Sequence, residues 1–154
     1  MAILTLAELK AALHPKQCVL GIDLGSTTIG MAISDPSMII ASPLETLKRG
    51  KFRDDSAKMK ALISERNVGG IVLGLPISMD GTEGPRCQST RDFAANVLKV
   101  IDLPIAFWDE RLSTAAVQRV LIKEADMTRK RRAQVVDKMA AAYILQGALD
   151  ARGQ

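Results

Sequence analysis

The sequence predicts a single α/β domain built on a mixed sheet, and two observations carry that prediction. Three strand-like segments follow one another from Cys18 with short connections, as in an antiparallel meander. Further on, the order changes to helix then strand, twice, as in crossovers that lay parallel strands side by side.

The stretch CVLGIDLGSTTIGMAISD, Cys18 to Asp35, opens the meander. Val19, Leu20 and Ile22 form a short apolar run, the pattern of a strand buried on both faces. Asp23 closes that run, and Gly25 marks a tight turn. Ile29, Met31 and Ile33 then alternate with Gly30, Ala32 and Ser34 at strand period. The third strand is expected over Met38 to Leu47, at an edge or with a bulge because of Pro43.

Lys48 to Arg53 is a basic, glycine-containing loop. A helix capped by Asp54 or Asp55 is expected to run to about Asn67, ended by Gly69 and Gly70. Ile71 to Leu75 is a short apolar strand, and PISMDGTEG, 76–84, is a long turn leaving its carboxyl end. The next helix is expected from Pro85 or Arg86 to Val100, with Pro85 suited to its first turn. Ile105 to Trp108 makes another strand, closing on Asp109, Glu110 and Arg111. A helix capped by Ser113 or Thr114 then reaches Ile122, and Lys123 to Thr128 connects it onward. After the basic run Arg129, Lys130, Arg131 and Arg132, a last helix is expected over Ala133 to Asp150.

The 154 residues suit one domain, 1–154, with 1–15 as a leading helical extension. Thr5 and Glu8 have capping-box spacing, Leu6, Leu9 and Leu13 recur at helical intervals, and Pro15 stops the turn. A hydrophobic content of 47% supports a packed core and argues against disorder. The net charge of +4 favours a polyanionic partner. Two cysteines, Cys18 and Cys87, and one histidine, His14, argue against a zinc site or a disulfide scaffold and fit a reducing, cytoplasmic setting. No apolar run reaches the roughly eighteen residues of a membrane span. The N-terminus lacks the basic start of a signal peptide. No membrane partner is expected.

Carboxylates close strands or interrupt apolar surface at four places: Asp23, Asp109, Glu110 and Asp137. Asp23 either caps its own turn or meets a cation. Asp137 shares a helical face with Ala140, Ala141 and Ile144, and is either delivered to a neighbouring strand or solvated beside Lys138. If the first and last strands lie close, their terminal acids meet where ligands gather in open α/β sheets. Three carboxylates without imidazole or thiolate suit a hard ion such as Mg²⁺ or Mn²⁺, and two such ions serve phosphodiester hydrolysis. The Arg129 to Arg132 run and the 48–53 loop either hold a nucleic-acid backbone or form solvated surface.

Four motifs in order, GIDLGSTTIGMAISD, GLPISMDGTEGPRCQS, DERLST and VDKMAAAYILQ, resemble the YqgF/RuvX family over about Gly21 to Asp150. These are small pre-16S rRNA nucleases related to Holliday-junction resolvases. The resemblance implies an RNase H-like fold: a mixed sheet with three antiparallel strands, then parallel ones, and helices on both faces. It implies metal-dependent nuclease activity in maturing the 5′ end of pre-16S rRNA, with branched DNA as the other candidate substrate. On the matching motifs it makes Asp23, Glu110, Asp137 and Asp109 the catalytic candidates. Asp23, Glu110 and Asp137 would bind Mg²⁺ or Mn²⁺. Arg111 of the DERLST motif, and Arg129, Lys130, Arg131 and Arg132 on their charge, are the nucleic-acid-binding candidates.

Three departures stand out. Ser26, Thr27 and Thr28 occupy a turn where the family pattern DxGxKxxG carries a basic residue. The strand ending Gly74, Leu75, Pro76 lacks the acid that junction resolvases carry there. Asp137 stands alone where the resolvase pattern has two acids. Glu110 is preferred over Asp109 as the third ligand, because strand alternation turns the two to opposite faces. Two other classes compete: an RNA-binding ribosome-assembly factor without chemistry, and an actin-like ATPase domain, whose phosphate turn DLGSTT also resembles. The single-domain length argues against the latter. Monomer and homodimer both fit the sequence.

Overall fold

The computed structural model describes residues 2–112 and 129–151, with side chains in the last helix from 138 onward. Five strands form one sheet: β1 (Cys18–Leu24), β2 (Thr28–Ser34), β3 (Ala41–Lys48), β4 (Val68–Leu75) and β5 (Ile105–Asp109). Their spatial order is β3-β2-β1-β4-β5. β1, β2 and β3 pair antiparallel, whereas β4 and β5 add parallel to β1. This is the mixed sheet expected from the two connection types.

Helices cover both faces. α1 (Leu6–Ala12) and α4 (Arg129–Asp150) lie on one, α2 (Phe52–Glu65) and α3 (Pro85–Val100) on the other. Strand alternation divides the core accordingly. Leu20, Ile22, Ile29, Met31, Ile71 and Leu73 meet Met59 of α2 and Phe93 and Val97 of α3. Val19, Ala32, Val72, Ala106 and Trp108 meet Leu9 of α1 and Ala141, Ile144 and Leu145 of α4.

The α4 face of the sheet has low relief. A Cβ at Gly21 would come within 2.7 Å of the Leu145 Cβ, and one at Gly74 within 2.6 Å of the Ile144 Cδ1. Gly147 of α4 lies against the Trp108 indole in the same way. Small residues on both sides bring helix backbone and sheet together closely, which explains the alanine-rich middle of α4.

Several boundaries differ from expectation. β3 starts at Ala41, because Asp35 accepts from the amides of Ile39 and Ile40 and holds 35–40 as a turn. Pro43 does lie on an edge strand beside a register shift. α2 begins at Phe52 with no side-chain cap, and Asp55 instead accepts from the Gly50 amide. Gly69 and Gly70 belong to β4, where missing side chains let Gln17, Leu13 and Leu9 close on the strand. α4 already includes Arg129, where the described residues resume, so the basic run is helical and not a connection before the helix. α1 has the expected Thr5–Glu8 capping box. The helix expected after Ser113 or Thr114 and the 123–128 connection lie outside the described residues.

Candidate active site at the carboxyl ends of the parallel strands

β1 places Asp23 one residue past its last pairing with β4, Ile22 with Leu73. Alternation along the strand puts Val19, Gly21 and Asp23 on the α4 side, and Asp23 is buried, 5% exposed. Its turn is closed by the Gly25 amide donating to the Thr28 carbonyl at 2.9 Å. The chain after β3 braces that turn. Arg49 donates from its backbone amide to the Thr27 carbonyl and from Nη1 to the Gly25 carbonyl, at 2.8 and 2.9 Å.

β5 ends on Asp109, and a 3₁₀ turn, Glu110–Leu112, follows. Asp109 is gripped by Arg111: Nη2 donates to Oδ2 at 2.7 Å, and Nε and the backbone amide donate to Oδ1 at 3.1 and 2.9 Å. These bonds hold the Asp109 carboxyl below its usual range and the Arg111 guanidinium above its own. Glu110 turns the other way. It is 7% exposed, and its Cγ and Cδ lie 3.3 and 3.4 Å from where a Cβ at Gly74 would stand. Gly74 is therefore the space Glu110 occupies. The position without an acid in the sequence is the position that admits the acid from the neighbouring strand.

α4 packs chiefly on β2 and β3 and also crosses β1 and β4. Lys10 of α1 donates to the carbonyls of Leu149 and Ala151 near the start of the sheet, whereas Ile144 sits over Gly74 near the end of β4. Position 137 lies two turns before Ile144, toward the carboxyl ends of the parallel strands. The Asp137 side chain itself, and those of Arg129, Lys130, Arg131 and Arg132, lie outside the described residues.

The structure thus brings Asp23 and Glu110 to one face and one end of the sheet, and leaves Asp109 bound to Arg111. Among the described residues no group of three His, Cys, Asp or Glu side chains is placed to hold a metal ion. The donor chemistry fits a hard divalent cation nonetheless: Asp23 and Glu110 are two buried carboxylates. His14 is at the opposite end, before β1 begins. Cys18 and Cys87 are buried and free, and burial pushes both thiols up, away from nucleophilic use. Sequence reasoning missed the role of Gly74, although a glycine closing an apolar strand was a visible sign of close approach. It also treated Arg49 as one charge among several.

The sheet order, the helices on both faces and the acids at the strand ends define an RNase H-like fold. Among solved structures, the chain is similar to Thermus thermophilus RuvC in complex with a Holliday junction substrate. The TM-score is 0.52 and the identity 16%, over 86% of this chain and 94% of that one. It is also similar to the Fowlpox virus resolvase solved with Holliday junction DNA, with TM-score 0.52 and identity 10% over 87% and 97%. At such identities the likeness is one of fold.

The family model described as "RuvX: Holliday junction resolvase" matches residues 17–151. A protein of Paramagnetospirillum magneticum named "Putative pre-16S rRNA nuclease" is 61% identical over 99% of this chain and 97% of its own. Relatives of the same name from Phenylobacterium zucineum and Rhodospirillum rubrum are 58% and 59% identical, covering 97% and 98% of this chain and 97% and 94% of theirs. The chain belongs to the RuvX family, a family of nucleases. Among the described residues no helix is long and apolar enough to cross a membrane.

Proposed function

We propose that the protein is a divalent-metal-dependent nuclease that trims the 5′ end of pre-16S rRNA in the cytoplasm. The reading is carried by one observation: two buried carboxylates, Asp23 and Glu110, share one sheet face at the carboxyl ends of parallel strands, with Gly74 making room between them. Asp137, on the helix that crosses this face, completes a set of three acidic ligands. When bound, Mg²⁺ or Mn²⁺ supplies an activated water and stabilises the leaving oxygen of a phosphodiester. The chain's own part is to hold the acids in place.

Asp109 has a different part. Its carboxylate positions Arg111 at the rim of the site, where the guanidinium can meet a phosphate. Arg129, Lys130, Arg131 and Arg132 are consecutive in α4, a concentration of positive charge suited to an anionic partner. The names of the relatives favour pre-rRNA over branched DNA.

The test is cleavage of a pre-16S rRNA fragment by wild type, Asp23→Asn, Glu110→Gln and Asp137→Asn in Mg²⁺, Mn²⁺ and EDTA. Each variant is expected to lose ~100-fold or more in rate, beyond the 10–100-fold typical of groups that merely orient a metal ligand. Undiminished cutting by Asp23→Asn and Asp137→Asn would remove the catalytic assignment. RNA binding without any cutting would favour an assembly factor.

A further inference from the structure

A second concave region lies at the same end of the sheet but on its other face. It is a groove of about 420 Å³ between the start of α2 and the outer side of α3. That volume is within the ~300–1,000 Å³ of small-molecule sites. Arg49 and Phe52, both half-buried, line it on one side, and the exposed Gln88, Ser89, Asp92 and Asn96 of α3 line it on the other.

Arg49 links this groove to the candidate active site. One of its guanidinium N–H groups is fixed on the Gly25 carbonyl, in the turn that follows Asp23. Among the described residues its guanidinium makes no ion pair with a carboxylate. A guanidinium has five donors, so four remain for an anion held beside that turn. The two acids in the lining accept from neutral amides, Asp55 from Gly50 and Asp92 from the Gln88 side chain, and keep their charge, so the anion's place is on the Gly25 side of Arg49. Phe52 is itself held edge-to-face by Phe93, with centroids 5.9 Å apart, so its ring is a fixed platform.

One cation beside the Gly25 turn, an aromatic ring, and amide and hydroxyl groups on α3 match one chemical class. We propose that the groove holds a single unpaired nucleotide of the RNA strand flanking the cleavage point. Its phosphate binds Arg49, its base lies against Phe52, and its exocyclic and 2′-hydroxyl groups meet the α3 side chains. The proposal rests on the nuclease reading for the position of the cut, but predicts binding independently of cutting. It also accounts for Ser26, Thr27 and Thr28 in the turn: the cation comes from position 49.

The experiment measures binding of fluorescein-labelled hairpin RNAs, blunt or with a short single-stranded tail, by anisotropy in EDTA across a salt series. The proteins are wild type, Arg49→Met and Asn96→Trp, the last filling the groove while leaving the Gly25 turn untouched. Wild type is expected to prefer the tailed hairpin by about tenfold, as loss of a charge-assisted contact would cost. Both variants should erase that preference, and Asn96→Trp should bind the blunt hairpin unchanged. Arg49→Met should also lower the salt slope by about 0.7, one phosphate's share on a single strand. Equal tail preference in all three proteins would overturn the proposal, as would a wild type with none. Cleavage is scored separately in Mn²⁺. An enzyme that fails to cut yet shows the variant-sensitive preference sinks the nuclease reading and leaves the groove assignment standing.

Discussion

Gly74 and Glu110 are complementary: a Cβ built on Gly74 would lie 3.3 Å from Glu110 Cγ and 2.6 Å from Ile144 Cδ1. The glutamate, from the turn after β5, fills space left by the missing side chain on β4, under the helix that carries Asp137.

Gly74→Ala is expected to destabilise the fold by about 1–3 kcal/mol, toward the low end because the Ile144 methyl can swing aside. Gly74→Val should cost more and displace Glu110, so activity should fall further than stability. In Gly74→Ala/Ile144→Val the two costs should sum to less than the singles, since the contacted methyl is gone. Urea denaturation checks the coupling, and strict additivity would argue against the contact.

Asp23→Asn should abolish stabilisation by Mn²⁺. At a concentration ~100 times the dissociation constant, binding to the native state contributes about 2.7 kcal/mol, or roughly 5–10 °C in Tm for a chain of this size. Wild type is expected to show that rise, and Asp23→Asn and Glu110→Gln to lack it. A thermal scan with and without Mn²⁺ decides, and needs no substrate.

The Asp109–Arg111 pair predicts an acid-sensitive increment of stability. Arg111 holds the folded Asp109 carboxyl below its ordinary value of 3.8. Its contribution is therefore fully present above that value and is lost as pH falls through the lower, folded one. Asp109→Asn should be less stable than wild type by about 1 kcal/mol at neutral pH, the scale of a part-exposed pair. The two proteins should converge in acid. A gap that persisted there would assign the effect to packing instead.

The leading helix is part of the core. Leu9 is fully buried, and its side chain lies about 3 Å from where a Cβ at Gly70 would stand. Leu9→Ala should cost about 2–5 kcal/mol and Thr5→Ala about 1 kcal/mol through the capping box. Denaturant midpoints measure both. A protein indifferent to Leu9→Ala would make 1–15 a mere appendage.

The amino-acid order alone determined the strands from Cys18 to Ser34, the α1 cap, the start of α3 at Pro85 and the acids that end β1 and β5. Those features come from side-chain period, proline geometry and turn chemistry, which act between near neighbours. Asp109 and Glu110 turn apart, Asp109 to Arg111 and Glu110 to Gly74, but Glu110 lies in the 3₁₀ turn after β5, so strand alternation is not what separates them. Only the tertiary structure decided that Gly69 and Gly70 sit in β4, that Gly74 receives Glu110, and that Arg49 reaches the Gly25 turn. Each depends on a partner far away in the chain, and a glycine or an arginine carries no local sign of which distant surface will close against it.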